Sequence, residues 1–297
     1  MSAPFAGRFA RVRERMVETG VEALCLSVGP DLPWLTGYEA MPLERLTMLV
    51  VPADGEATLV VPRLEAPRVV ERPELFSLHP WDETDDPIAT VVELLGGRRR
   101  VGVGDTTWAR FVVELLQAQP SLHLDRATGV TGPLRAVKDR HEIAMLHRAG
   151  AAADGVAVAL QGGGIPLVGR TEADVSAELG RRLLEGGHHH VNFAIVAAGA
   201  NAASPHHEPG SRVIEADEVL LCDFGGTMHD AYGVGYCSDI TRCLWTGEVP
   251  DRAAELYDVV AAGHAAAMAG VAAGVPAERI DALARDVIIA AGYGEWF

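Results

Sequence analysis

The sequence predicts a two-domain chain that opens with an α/β domain. Three observations carry this. Its 297 residues are too many for one small core and suit about two domains of ~100–200 residues each. Short apolar runs bounded by turn residues alternate with amphipathic stretches through the first part of the chain, the pattern of strands mixed with helices. Between Asp125 and Val137 the periodicity fades around Gly129, Gly132 and Pro133, as in a linker. The expected division is 1–130 for the first domain, 131–139 for the linker and 140–297 for the second domain.

Phe5, Phe9, Val12 and Met16 form one apolar helix stripe, and Gly20 can end that helix in a left-handed conformation. Val21–Val28 reads as a buried strand. Leu46–Val51 and Ala57–Val61 flank Pro52-Ala-Asp-Gly55, a turn sequence, and predict a hairpin closed by Pro62. Pro87–Leu95 and Thr107–Ala118 read as helices around a strand at Arg100–Val103.

After the linker, Glu142, Ile143, Met145, Leu146 and Ala149 open a long Ala-rich helix that stops at Gly162-Gly-Gly-Ile-Pro166. Thr171, followed by Glu172 and Asp174, is a helix start: a hydroxyl cap with acids near the positive end of the dipole. That helix runs to Glu185. Asn192–Ala197, Val219–Phe224 and Tyr236–Trp245 read as strands, and Asp251–Val271 and Pro276–Ala291 as helices.

With 48% hydrophobic residues the chain has ample material for a core. It carries 41 acidic against 25 basic residues, a formal charge of −16. Such a surface repels phosphate backbones and anionic lipid, so no nucleic acid and no membrane partner is expected. The uncharged stretch Val259–Ala277 is mostly Ala and Gly and too weakly apolar for lipid. Met1–Arg8 lacks the apolar core of a secretory signal, so a cytoplasmic location is expected. The four cysteines, Cys25, Cys222, Cys237 and Cys243, form no CxxC pair and suit a reducing compartment.

The most informative stretch is Val219-Leu-Leu-Cys-Asp-Phe-Gly-Gly226 followed by Tyr236-Cys-Ser-Asp-Ile-Thr-Arg242. Each strand-like run sets one aspartate among apolar residues. Alternation places Asp223 with Val219 and Leu221, and Asp239 with Cys237 and Thr241. If the strands are antiparallel neighbours, the carboxylates can face each other, which is costly unless one is protonated or a cation lies between them. Hard oxygen donors suit a divalent ion such as manganese. Spacing alone leaves open the alternative that both are solvated strand-end residues.

His206 follows a proline in Ala197-Ala-Gly-Ala-Asn-Ala-Ala-Ser-Pro-His206. A rigid turn could aim its imidazole at a substrate oxygen, or the residue could be an idle loop histidine. His188-His-His190 reads as a solvated loop, because neighbouring strand residues point opposite ways and cannot all reach one ion.

Together these blocks resemble the Xaa-Pro aminopeptidase/prolidase (creatinase-like, pita-bread) metallopeptidases. The aspartate block resembles the family's first metal-ligand block, and Ile195–His206 the block before it. Leu134–Ile143 resembles the start of the catalytic domain, and Asp31-Leu-Pro-Trp-Leu-Thr-Gly-Tyr38 a loop of the N-terminal domain. The resemblance implies an α/β N-terminal domain followed by an α+β pita-bread catalytic domain.

It also implies metal-dependent hydrolysis of peptide bonds next to proline, by an aminopeptidase or dipeptidase. Asp223 and Asp239 would be two of five ligands to a pair of divalent ions (Mn, Co or Zn), His206 a histidine on the substrate side, and the protein a homodimer acting on proline-containing peptides. Two departures stand out. The interval from Asp223 to Asp239 is longer than usual in the family. The later blocks, with one histidine and two glutamates, have no counterpart before Phe297, so the pita-bread domain is expected to be incomplete and this chain truncated, with weak or no metal binding and no activity. Two alternatives stand beside the peptidase: a creatinase-type, metal-free C–N hydrolase, against which the retained aspartates argue, and a non-catalytic pita-bread binding module.

Overall fold

The computed structural model describes residues 4–297, and they form two compact units, each built from several stretches of chain. The first extends to Val158 and adds Gly180–Phe193 and Phe224–Ile240. The second consists of Ala159–Leu179, Ala194–Asp223 and Thr241–Phe297.

The first unit is organised by a six-stranded mixed sheet. Its strands are β1 (Ala23–Leu26), β2 (Met48–Pro52), β3 (Ala57–Pro62), β4 (Phe76–Trp81), β5 (Arg100–Val103) and β6 (His123–Arg126), in the order β4-β3-β2-β1-β5-β6. The expected hairpin is present: β2 and β3 pair antiparallel with Met48 opposite Val60, and Gly55 takes a φ of 106° in the turn. Strand residues alternate between two cores. Leu24, Leu26, Leu49 and Leu59 pack under α1 (Phe5–Thr19), α2 (Asp31–Thr36) and α5 (Thr128–Ala136). Cys25, Met48, Val50 and Val101 pack under α3 (Pro87–Leu95) and α4 (Ala109–Ala118). The helix stripe Phe9, Val12 and Met16 is buried as its spacing requires, and Gly20 caps α1 at φ 69°.

The segment expected as a linker is in large part helical: α5 runs through Pro133 to Ala136. Its buried face outweighs the poor helix propensity of Gly and Pro. Val130 and Thr131 are each 1% exposed. Thr131 also donates to Asp31 Oδ2 (2.9 Å), and Arg135 pairs with Asp31 Oδ1 (3.0 Å).

α6 (Arg140–Gln161) follows. Among the described residues it is the one helix long and apolar enough, by length and composition, to cross a membrane. Its face at Met145 and Ala149 is buried against Phe5, Met228 and Tyr236. α7 (Glu172–Glu185) begins at the expected cap, with the Asp174 amide donating to Thr171 Oγ1 and the Thr171 amide to Asp174 Oδ2.

A second sheet holds β7 (His190–Ala198), β8 (Val219–His229) and β10 (Ile240–Trp245) in the order β10-β8-β7, with β9 (Gly235–Cys237) also paired to β8. β8 runs five residues beyond its expected end at Phe224, and the expected strand Tyr236–Trp245 is interrupted at Ser238-Asp239. In the second unit α8 (Asp251–Gly270) packs on α9 (Ala277–Ala290) at buried Gly263, where a Cβ would come within 3.3 Å of Ala284 O.

Candidate metal centre

β8 carries the first aspartate because its apolar residues fall on one side. Leu220, Cys222 and Phe224 are fully buried, whereas Leu221, Asp223 and Thr227 on the other side are partly accessible. The Asp223 carboxylate accepts from Thr241 Oγ1 at 2.9 Å through Oδ1. Burial pushes the neighbouring Cys222 thiol up to about 12, and its side chain packs in the interior on the opposite side of the strand from Asp223.

Asp239 lies in the short break between β9 and β10 and is exposed, in phase with exposed Cys237 two residues before it. The residue between them, Ser238, is 6% exposed and anchors the turn. Its Oγ accepts from the Gly226 amide (3.3 Å), and its own amide donates to Gly226 O (2.9 Å). Ser238 Oγ also shares a 2.9 Å hydrogen bond with His188 Nε2. His188 Nδ1 donates to Leu183 O (3.1 Å), which leaves Nε2 of the neutral ring to accept from Ser238. Burial lowers the His188 pKa and favours that neutral form. The solvated-loop expectation for His188 is therefore corrected. His188 is 4% exposed because β8 and the turn after α7 close over it.

Gly225 explains how the two chain segments come so close. A Cβ there would stand 2.1 Å from Ser238 O, so only glycine fits.

The loop bearing His206 is anchored from α7. Glu172, fully buried, accepts from the Ala198 amide (2.8 Å), Asn201 Nδ2 (2.9 Å), His207 Nε2 (2.8 Å) and the Gly210 amide (3.4 Å). Burial alone would raise its carboxyl pKa; these four donors hold it below the usual value. His206 is exposed and takes a φ of 58°, a left-handed conformation uncommon outside glycine. Glu172 as a loop anchor and His188 as a prop for Ser238 escaped the sequence reading. Thr171-Glu172 signalled only a helix start, and the partners of Glu172 lie 26–38 residues away.

Each aspartate by itself offers the hard oxygen donors that a divalent ion prefers: Asp223 uses one carboxylate oxygen toward Thr241, and Asp239 is exposed. Comparisons with known proteins give the family. Residues 144–297 match the metallopeptidase family M24 and residues 8–137 the creatinase/prolidase N-terminal domain. A probable dipeptidase, PepE, of Mycobacterium tuberculosis is 37% identical over 297 residues, covering 99% of this chain and 77% of that protein. The crystal structure of dipeptidase PepE from Mycobacterium ulcerans superposes with a TM-score of 0.89 at 34% identity, over 99% of this chain and 78% of that one. A recombinant prolidase from Thermococcus sibiricus superposes equally well, TM-score 0.89 at 27% identity, over all of this chain and 80% of its own. The chain thus belongs to metallopeptidase family M24, as a hydrolase with a creatinase/prolidase N-terminal domain and a pita-bread catalytic domain.

Proposed function

We propose that this protein hydrolyses peptide bonds next to proline, as an Xaa-Pro dipeptidase or aminopeptidase dependent on two divalent metal ions. The observation that carries the reading is the retention of Asp223 and Asp239 as accessible oxygen donors in a chain whose relatives are named as dipeptidase and prolidase. Asp223 and Asp239 would hold the metals, of which manganese is the first to test. A bound metal pair supplies Lewis acidity and a water activated at neutral pH. Thr241 orients the Asp223 carboxylate, Ser238 and His188 fix the turn before Asp239, and Glu172 holds the loop that presents His206 to the substrate. These are supporting roles that keep the reacting groups in place. A homodimer in the cytoplasm, with no nucleic-acid or membrane partner, completes the proposal. The family and the two aspartates favour it over a metal-free creatinase-type hydrolase and over a binding module.

The test uses the full chain as its gene encodes it, with any residues that follow Phe297. Metal content and hydrolysis of Xaa-Pro against Xaa-Ala dipeptides are measured under manganese. About two ions per chain and a preference for Xaa-Pro are expected, both lost in Asp223→Asn and Asp239→Asn. Turnover that survives both substitutions would refute the metal assignment, and equal turnover of Xaa-Ala the proline assignment.

A further inference from the structure

A second cluster of ligand-type side chains stands in the first unit, made of residues that the proposed reaction does not use. His190 opens β7, His229 closes β8, and Glu39 lies in the loop after α2. One ligand atom from each lies within 4.8 Å of the others. His229 Nε2 and Glu39 Oε2 are 3.2 Å apart, and the His190 and His229 rings 5.4 Å. In a tetrahedral zinc site with bonds of about 2.0–2.1 Å, neighbouring ligand atoms are ~3.3 Å apart. The His229–Glu39 edge has that length, and a small ring movement of exposed His190 brings in the third donor.

A separate observation points to a ligand. His229 Nε2 is buried and makes no hydrogen bond, although it faces a carboxylate. A buried nitrogen without a partner is costly, and a cation would satisfy it together with Glu39. The backbone around the cluster is fixed. The His189 amide donates to Thr227 O (2.7 Å), the His229 amide donates to His189 Nδ1 (3.1 Å), and the His189 ring stacks on that of His229. On the other side the loop after α2 lies against the tip of the β8–β9 hairpin, backbone on backbone: a Cβ on Gly37 would stand 2.2 Å from Tyr232 O. Glu39 follows two residues later.

We propose that Glu39, His190 and His229 form a binding site for one zinc ion, a latch between the β8–β9 hairpin and the loop after α2. Two imidazoles and one carboxylate suit borderline-soft zinc better than magnesium or calcium, and the exposed side of the cluster leaves a position for water.

The test is made in the full chain carrying both Asp223→Asn and Asp239→Asn, so that its outcome does not depend on the catalytic assignment. Isothermal titration with zinc chloride should give one ion per chain, and cobalt(II) should give visible bands of a tetrahedral site. His229→Ala should weaken zinc by more than about a hundredfold, beyond the loss typical of removing an outer partner. His190→Asn and Glu39→Gln alter exposed side chains, so they carry the test if His229→Ala fails to fold; each should weaken zinc and remove the cobalt bands. His123→Asn, at an exposed histidine outside the cluster, should bind as the parent does. Absence of zinc binding in the double-Asn protein, or unchanged affinity in both His190→Asn and Glu39→Gln, would overturn the proposal.

Discussion

Arg8 and Glu142, 134 residues apart in sequence, form a buried ion pair at 3.0 Å. The arginine also donates to Trp34 O (2.8 Å), and the Trp34 indole donates to the same Glu142 oxygen (3.0 Å). The other carboxylate oxygen accepts from the Asp139 amide at the start of α6 (2.8 Å). One carboxylate thereby joins α1, α2 and α6. Glu142→Gln leaves the arginine buried without its counter-charge and should destabilise the protein by about 3–5 kcal/mol. Urea unfolding of parent and variant checks this; a loss below about 1 kcal/mol, the size expected of a surface pair, would contradict it.

Glu172 gives a pH signature. Its folded pKa lies below the ordinary 4.5, first despite burial and then because of its four donors. A depressed carboxyl pKa contributes stability that is complete above the unfolded value and is lost as pH falls through the folded one. Glu172→Gln should cost about 1–3 kcal/mol near neutrality, because it replaces an acceptor by a donor at a full site. The gap between parent and variant should narrow as pH drops below 4.5. Thermal melts across that range provide the measurement, and a gap independent of pH would count against the assignment.

Gly225→Ala should be destabilising by at least about 1–3 kcal/mol, because its methyl would meet the Ser238 carbonyl and force β8 and the turn apart. Gly210, with open space around its Cα, should accept alanine with little change. Melting temperatures of the two variants decide the point.

The cysteines should separate by reactivity. Burial raises the Cys25 and Cys222 thiols to about 12, whereas Cys237 is exposed. A thiol reagent on the native protein should label Cys237 first and leave Cys25 and Cys222 unmodified until unfolding. Peptide mapping after brief labelling tests the order.

Local signals made much of the frame legible. Pro87–Leu95 and Arg100–Val103 occur with the bounds their patterns predict, since a proline at the helix start, a glycine after its end and an apolar run suffice. α5 was hidden because its stability comes from contacts of Val130 and Thr131 that no local window contains. α2 was hidden for the same reason: Leu32, Trp34 and Leu35 look unremarkable in sequence but fill the core under the sheet. In the candidate site, alternation exposed the setting of Asp223, while the roles of Glu172 and His188 rest on partners 26–50 residues away. In the histidine run the members separate as alternation requires: His189 and His190 are exposed, and only His188 departs from the solvated reading by turning inward, where its partner Ser238 is 50 residues away.

The β8–β9 hairpin has a fixed base and a tip packed against the loop after α2. Thr227 pairs with Cys237 at the base, while Asp230 closes the tip by accepting from the Tyr232 and Val234 amides through Oδ1. A change of length within the tip would therefore reach beyond the hairpin, because the Gly37 backbone lies against Tyr232 and Gly233 and the Tyr232 ring packs edge-on against Phe5. Such a hairpin is a fixed spacer: its length is held by what it touches as well as by its own turn. Relatives of this protein that keep a glycine at position 37 should accordingly keep the length of the 230–234 segment.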